Sequence, residues 1–131
     1  MPTMTPDQAT FVLHAVVPPM LKNEHALTKS VIEAIPLNGG DYRPDPNAKS
    51  AMELAWHVVA AEHRFLGGVA DGVFDFTPNH RPEMVKNSAD MAKWFDDSFN
   101  KNIARLAAMS GDGLAKEIDF RGIFKIPAVM F

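Results

Sequence analysis

The second half of the chain carries apolar residues at helical spacing, and no other feature constrains the fold as strongly. In a helix over about residues 84–109, Lys and Asp side chains occupy one side, with Asp97 and Lys101 one turn apart. The opposite side collects Met84, Met91, Phe95, Phe99, Asn102, Leu106 and Met109. This separation is typical of an amphipathic helix packed on a core. Gly111 and Gly113 predict its end.

A first helix is predicted from about Pro6. Residues 5–8, Thr-Pro-Asp-Gln, combine an N-cap residue, a proline at the first helical position and the spacing of a capping box. Pro18 and Pro19 lack backbone donors and predict a bend or a restart within this helix. The Pro, Asn and Gly residues of segment 36–40 predict its end.

A second helix is predicted to open at Ser50, because Ser50 is a suitable N-cap residue and Glu53 follows at capping-box spacing. Its apolar residues fall within a stripe of roughly 80° at about 100° per residue. The members of this stripe, which we predict to pack on the core, are Ala51, Leu54, Val58, Ala61, Phe65 and Val69. Gly72 predicts the end of the helix.

From Leu114 the apolar period changes to alternation, which predicts an extended segment or a small hairpin. Pro127 has the chemistry to open a fourth helix, of which only the apolar residues 128–131 are present. We therefore predict an all-α antiparallel bundle with three long helices and the start of a fourth. We expect a single domain over residues 1–131 that is incomplete at its C-terminus.

Composition narrows the function classes. The chain has 131 residues and no cysteine, so disulfides and thiolate chemistry are excluded, and His, Asp and Glu are the available metal ligands. The formal net charge is −3 with no basic stripe, which argues against nucleic-acid binding. A signal peptide and a long apolar run are both missing from the sequence. We expect a cytoplasmic protein that does not cross a membrane.

The second helix holds the candidate metal ligands. His57 lies on the flank of the predicted core stripe, so its ring is expected to point inward, which makes it the candidate metal ligand of this helix. Glu53, one turn earlier, could orient that ring or ligate beside it, or could serve only as the capping residue. A histidine hydrogen-bonded to a neighbour on an amphipathic helix is the alternative for His57. Glu62 and His63 are predicted to form a solvated face.

The remaining histidines are not expected to form a joint site. Two of them share a helix face but stand roughly 16 Å apart along it, and the third lies in a loop where exposure is expected. These residues are His14, His25 and His80.

Several segments together resemble one family. They are Asp-Tyr-Arg-Pro at 41–44, the run at 46–62 that contains Ser-Ala-Met-Glu-Leu-Ala-Trp-His, the run at 65–74, Phe-Arg-Gly at 120–122 and Ile-Pro-Ala at 126–128. The chain resembles the DinB family of metal-binding four-helix bundles over essentially its whole length. The resemblance is most specific in residues 41–74.

The resemblance implies an up-up-down-down bundle, often a homodimer, with a divalent metal such as nickel or zinc held by three histidines. Members include transferases and isomerases that use low-molecular-weight thiols. Only the first of the three ligands maps onto this sequence, at His57. The other two form a His-x-x-x-His pair in the family's fourth helix, and this sequence has no such pair. We therefore expect the metal to be absent or only partly bound here.

Two functions from different classes remain open. The first is a divalent-metal-dependent transferase or hydrolase of small molecules, with an unknown substrate and no activity in this form. The second is a non-catalytic helical dimer that binds a small apolar ligand or a partner helix, which the Met- and Phe-rich composition favours. Association with DNA is a weaker third possibility that the acidic charge balance opposes.

Overall fold

The computed structural model describes residues 3–131, so Met1 and Pro2 lie outside it. Most of the chain is helical, as expected for an all-α fold. The helices are α1 (Pro6–Phe11), α2 (Val17–Glu33), α3 (Ala51–Asp71), α4 (Ser88–Ala107) and α5 (Gly111–Ala115). A two-stranded sheet of β1 (Glu117–Phe120) and β2 (Phe124–Pro127) follows, and then a 3₁₀ turn over Ala128–Met130. Among residues 3–131, none of the helices combines the length and apolar composition needed to cross a bilayer.

The bend predicted at Pro18 and Pro19 takes the form of a π-helical turn over Val12–Val16 that joins α1 to α2. Within this turn the N–H of Val17 donates to the carbonyl of Val12, five residues back. Proline cannot donate and its ring crowds the carbonyl four residues earlier, so a wider turn before the proline pair accommodates both.

The start of α3 agrees with the sequence. The Ser50 hydroxyl accepts a hydrogen bond from the N–H of Glu53 at 3.1 Å, and the Glu53 carboxylate accepts one from the N–H of Ser50 at 3.1 Å. Gly72 ends the helix with φ 75°, a left-handed conformation that glycine adopts without strain.

The third long helix, α4, begins later than predicted. The Asn87 side chain accepts a hydrogen bond from the N–H of Asp90 at 2.9 Å and so caps the helix at Ser88. Met84, expected on the core side, precedes the helix and is 74% exposed. Apolar residues keep the helical spacing before the Asn87 cap, so periodicity alone predicts a start of α4 that is too early.

The long helices pack in two core layers. The end of α2 and the starts of α3 and α4 meet in the first layer, which includes Ile32, Val59 and Phe95. The ends of α3 and α4 meet in the second, which includes Leu66 and Leu106. Thus α3 and α4 run parallel and α2 runs antiparallel to both. An up-up-down-down bundle contains parallel neighbours of this kind, whereas simple alternation does not.

A parallel pair needs a long return connection. Helix α3 has 21 residues and is therefore about 30 Å long. Segment 72–87 crosses back over this length, and its Phe74 packs into the second core layer.

The predicted hairpin is present. Strands β1 and β2 pair antiparallel with Ile118 opposite Ile126. Arg121 and Gly122 have φ of 55° and 73°, and the N–H of Ile123 donates to the carbonyl of Phe120 at 2.9 Å. These are the features of a type I′ turn, whose twist suits a two-stranded hairpin.

Candidate functional site

The face of α3 that packs on the core differs from the predicted one. The residues buried on this face are Met52, Ala55, Val59 and Leu66, with Val69 beside them. Of the predicted stripe, Val69 is buried as expected and Ala51 and Ala61 are half-buried, but Leu54 is 54% and Val58 42% exposed. Both stripes repeat at helical spacing and lie one residue, or about 100°, apart. Because both are apolar, periodicity alone could not decide which one faces the core.

The expected inward orientation of His57 is therefore wrong. His57 is exposed, and at about 100° per residue it points roughly 160° away from Ala55 and 180° away from Leu66. It has no hydrogen-bond partner among residues 3–131. Its role as a metal ligand stays a prediction.

Glu53 is held by other groups. Its carboxylate accepts hydrogen bonds from Arg43 at 2.7 and 3.1 Å and from the Ser50 N–H. The hydrogen bonds from Arg43 and then from Ser50 hold the pKa of Glu53 below its usual value. Glu53 thus stabilises the start of α3 and the preceding linker, and it makes no hydrogen bond to His57.

The prediction that His63 lies on a solvated face is wrong. The buried Asn102 of α4 lies 3.0 Å from Nδ1 of His63 and donates its amide N–H to that nitrogen. Burial lowers the pKa of His63, with Lys101 and Arg105 adding to the effect. The sequence offered one signal, because Asn102 occupies an otherwise apolar stripe of α4.

The most unusual titratable cluster lies inside the bundle and was not predicted. His25 of α2 is 7% exposed, and its ring lies against Phe95 and Phe99 with centroids 4.3 and 3.9 Å away. Its Nε2 is 2.7 Å from a carboxylate oxygen of Asp96. Its buried Nδ1 has no hydrogen-bond partner in the part of the chain that the structure describes. The nearest carboxylate oxygen to Nδ1 belongs to Glu62 of α3, at 4.0 Å.

Glu62 was also expected on a solvated face, and this expectation is wrong. Its side chain is 26% exposed, and burial raises its pKa to about 7. The local signal for His25 is its spacing from Leu21 and Ile32, both on the core side of α2. The pairing of His25 with Glu62 joins two helices and has no signature in either helix alone.

Two exposed apolar stripes flank this pair. On α2 they are Met20, Leu27 and Val31, and on α3 they are Leu54, Val58 and Phe65. We call these six residues the α2/α3 face. In each helix the stripe lies one residue before the core positions.

The two stripes lie on the same side of the molecule. Residues one position after the core positions contact α4: Trp56 and His63 of α3 touch Trp94, and Lys29 of α2 is 3.0 Å from Asp96. Because α2 and α3 are antiparallel and both pack on α4, residues one position before the core lie away from α4 in both helices. Both stripes of the α2/α3 face therefore lie on the side of the molecule away from α4.

An apolar cavity of 250 Å³ lies at one end of this face. Leu21 and Leu66, each one helical turn from the His25–Glu62 pair, form part of its wall, and segment 128–131 closes it. Its lining is almost entirely apolar, which suits a small apolar molecule better than a polar one.

The residues do not fit a three-ligand metal centre. Within residues 3–131 no cluster of three or more His, Asp or Glu side chains is placed to hold a metal ion. His57 stands alone on the outside of α3, and the carboxylate of Glu53 is bound by Arg43. A catalytic metal needs several protein ligands and an open position.

Comparison with known families identifies the class of protein. The model of the DinB superfamily matches residues 20–129, so the chain belongs to this superfamily. The crystal structure of a DinB-like protein from Bacillus subtilis, YjoA, is similar with a TM-score of 0.61 and 23% sequence identity. The similarity covers 79% of this chain and 68% of the Bacillus subtilis chain, and at this identity it shows the fold alone. No curated protein matches the sequence significantly.

Proposed function

We propose that this DinB-superfamily domain is a helical binding module that pairs with a second copy of itself through the α2/α3 face. The observation that carries the proposal is the match between the two stripes. Met20 to Val31 and Leu54 to Phe65 are each twelve residues long and extend over about 17 Å of helix. Apolar residues stand at the first, eighth and twelfth positions of the α2 stripe, and at the first, fifth and twelfth positions of the α3 stripe. Read in opposite directions, the two patterns are the same.

Two stripes of equal length and matching pattern suit a two-fold interface. In such an interface the same surface of each copy is buried, so α2 of one copy would pack on α3 of the other. Contiguous exposed apolar surface is uncommon on monomers and marks an interaction site. Pairing in this way would bury all six residues of the face and surround the gap between α2 and α3 with four helices.

Sedimentation equilibrium of the purified chain tests the proposal. We expect a mass of twice 14.4 kDa for the unaltered protein. Leu27→Asp places a charge in the interface and should give a monomer. Leu37→Asp is the matched control, because Leu37 is 67% exposed against 57% for Leu27 but lies beyond the end of α2. A monomeric unaltered protein, or equal effects of the two substitutions, would contradict the proposal.

A second candidate is a divalent-metal-dependent transferase or hydrolase of small molecules, as the family resemblance implies. The observation in its favour is His57, whose ring is exposed and makes no hydrogen bond within residues 3–131. Since this chain supplies a single histidine at that position, other ligands would have to come from outside the described residues. One ligand alone supports no catalytic step.

Metal content tests the second candidate. Protein grown with nickel and zinc should contain bound metal that His57→Ala removes and His80→Ala, an exposed histidine in segment 72–87, retains. Metal content that is unchanged in His57→Ala would exclude His57 as a ligand.

A further inference from the structure

We propose that a pocket between α3, α4 and segment 72–87 binds a small molecule through a singly charged carboxylate group, which the guanidinium of Arg64 and the Nε2–H of His63 hold. The pocket has a volume of 430 Å³. It lies on the side of α3 that faces α4, away from the α2/α3 face. The proposal therefore does not depend on pairing between copies.

A glycine opens the pocket. Gly67 lies in the part of its wall that α3 contributes, and the nearest atom to a Cβ added there is Nη1 of Arg105 on α4, 4.0 Å away. Segment 72–87 forms the opposite wall. It is tied to α3 because Nη2 of Arg64 donates to the carbonyl of Thr77 at 2.7 Å. The space beside Gly67 is thus enclosed by three separate parts of the chain.

Two residues of α4 fix the proton of His63. Nη1 of Arg105 lies 3.5 Å from Oδ1 of Asn102, and a guanidinium has only donors, so the amide oxygen faces it. The amide N–H of the buried Asn102 then faces Nδ1 of His63 at 3.0 Å, and Nδ1 accepts. A proton on Nδ1 would place two N–H groups against each other. The ring is therefore neutral, and Nε2 carries its proton as a donor.

Donors of two side chains in the pocket wall are free. Nε2 of His63 makes no hydrogen bond within residues 3–131 and is not buried. The same holds for Nη1 of Arg64, whose Nε is buried without a partner in that part of the chain. None of the ion pairs between described residues includes Arg64. A carboxylate offers two acceptor oxygens and one negative charge, which suits a guanidinium and a neighbouring N–H donor.

The charges around the pocket favour one negative charge on the ligand. Arg105 is paired with Asp71, so these two charges compensate each other. Asp75 accepts hydrogen bonds from the hydroxyl and the N–H of Thr77 at 2.6 and 2.9 Å, and these bonds hold its pKa below the usual value. Arg64 thus supplies the free positive charge, while Asp75 repels a second negative charge. A carboxylate therefore suits the pocket better than a phosphate dianion.

The tautomer of His63 gives the first test, on the unaltered chain without a ligand. At about pH 7.5, long-range ¹H–¹⁵N NMR spectra of the imidazole distinguish a protonated ring nitrogen from an unprotonated one. We expect the proton on Nε2 and none on Nδ1. A proton on Nδ1 would overturn the proposal, because Asn102 would then not orient the ring and Nε2 would not be a fixed donor.

The second test is an NMR titration of the whole chain with sodium acetate, with the ionic strength held constant by sodium chloride. We expect saturable shifts of the Nε2–H of His63 and of the guanidinium of Arg64. Arg64→Gln should weaken acetate binding about tenfold, because the amide keeps a donor for Thr77 but loses the charge. The matched control is Arg81→Gln, since Arg81 is an exposed arginine of segment 72–87 outside the pocket lining. Shifts that do not saturate, or equal acetate affinities of the two variants, would refute the site.

Inorganic phosphate tests the class of anion. At about pH 8 it is mostly a dianion, and we expect it to bind several-fold more weakly than acetate. Asp75→Asn should reduce this preference, because it removes the opposing charge and keeps an oxygen that accepts from Thr77. Phosphate binding as tight as that of acetate in the unaltered chain would overturn the assignment to a carboxylate.

Discussion

Two adjacent glycines of α3 allow a sharp test of how segment 72–87 packs. Gly68 is buried, and a Cβ added there would overlap the ring of Phe74. Gly67 has open space, since the nearest atom to an added Cβ is Nη1 of Arg105 at 4.0 Å. Alanine substitution therefore makes the same chemical change at two neighbouring positions of one helix. It creates a steric conflict at Gly68 and none at Gly67.

The two substitutions are expected to differ in their effect on the free energy of unfolding. Alanine in place of glycine inside a helix stabilises by about 1 kcal/mol. Gly67→Ala should gain this amount. In Gly68→Ala the gain is offset by overpacking, which costs about 1–3 kcal/mol. Phe74 cannot move away freely, because Phe65 and Phe131 pack edge-on against it with centroids 5.5 and 4.7 Å away.

Urea unfolding followed by circular dichroism measures both effects. With a slope of about 2 kcal/mol per molar, Gly67→Ala should raise the midpoint by about 0.5 M. Gly68→Ala should leave it unchanged or lower it by up to about 1 M. If both substitutions raised the midpoint equally, Phe74 would not cover Gly68, and the packing of segment 72–87 against α3 would be refuted.

Two further predictions concern contacts with α4. The buried Ser88 hydroxyl donates to the carbonyl of Ile35 at 2.7 Å, so Ser88→Ala should cost about 1–3 kcal/mol in the same unfolding assay, and a cost near zero would contradict this contact. Asp96 stabilises the fold through His25 and Lys29 above a pH of about 4, and this contribution should vanish as the pH falls through its lowered pKa. In acid titrations of stability Asp96→Asn should therefore lose part of the pH dependence that the unaltered chain shows below pH 4.

Local chemistry made much of the fold predictable. The start of α3 was found from Ser50 and Glu53, which stabilise the first turn by hydrogen bonds within four residues of sequence. Pro18 and Pro19 indicated the break between α1 and α2, because proline lacks a backbone N–H donor whatever packs around it. The hairpin was found from alternation ending at Gly122. Each of these signals acts over a few residues and needs no knowledge of the packing.

The candidate site was less predictable because it depends on contacts between distant segments. The approach of His25 to Glu62 at 4.0 Å needs α2 and α3 to lie antiparallel with both residues at the same level, and no short pattern encodes that level. His63 was placed on the solvent side because the core side of α3 was misassigned by one residue. That single rotation of about 100° also accounts for the wrong orientation of His57.

The misassigned stripe nevertheless locates the proposed interaction surface. Helix α4 has one apolar side and carries charges such as Lys93 and Asp97 on the other, so it packs against other helices on one side only. Helices α2 and α3 each have two apolar stripes, one buried against α4 and one exposed, as at Leu27 and Val58. A helix with two apolar stripes about 100° apart suits contact with two neighbouring layers. Further helices would therefore add to this domain at the α2/α3 face, on the side away from α4.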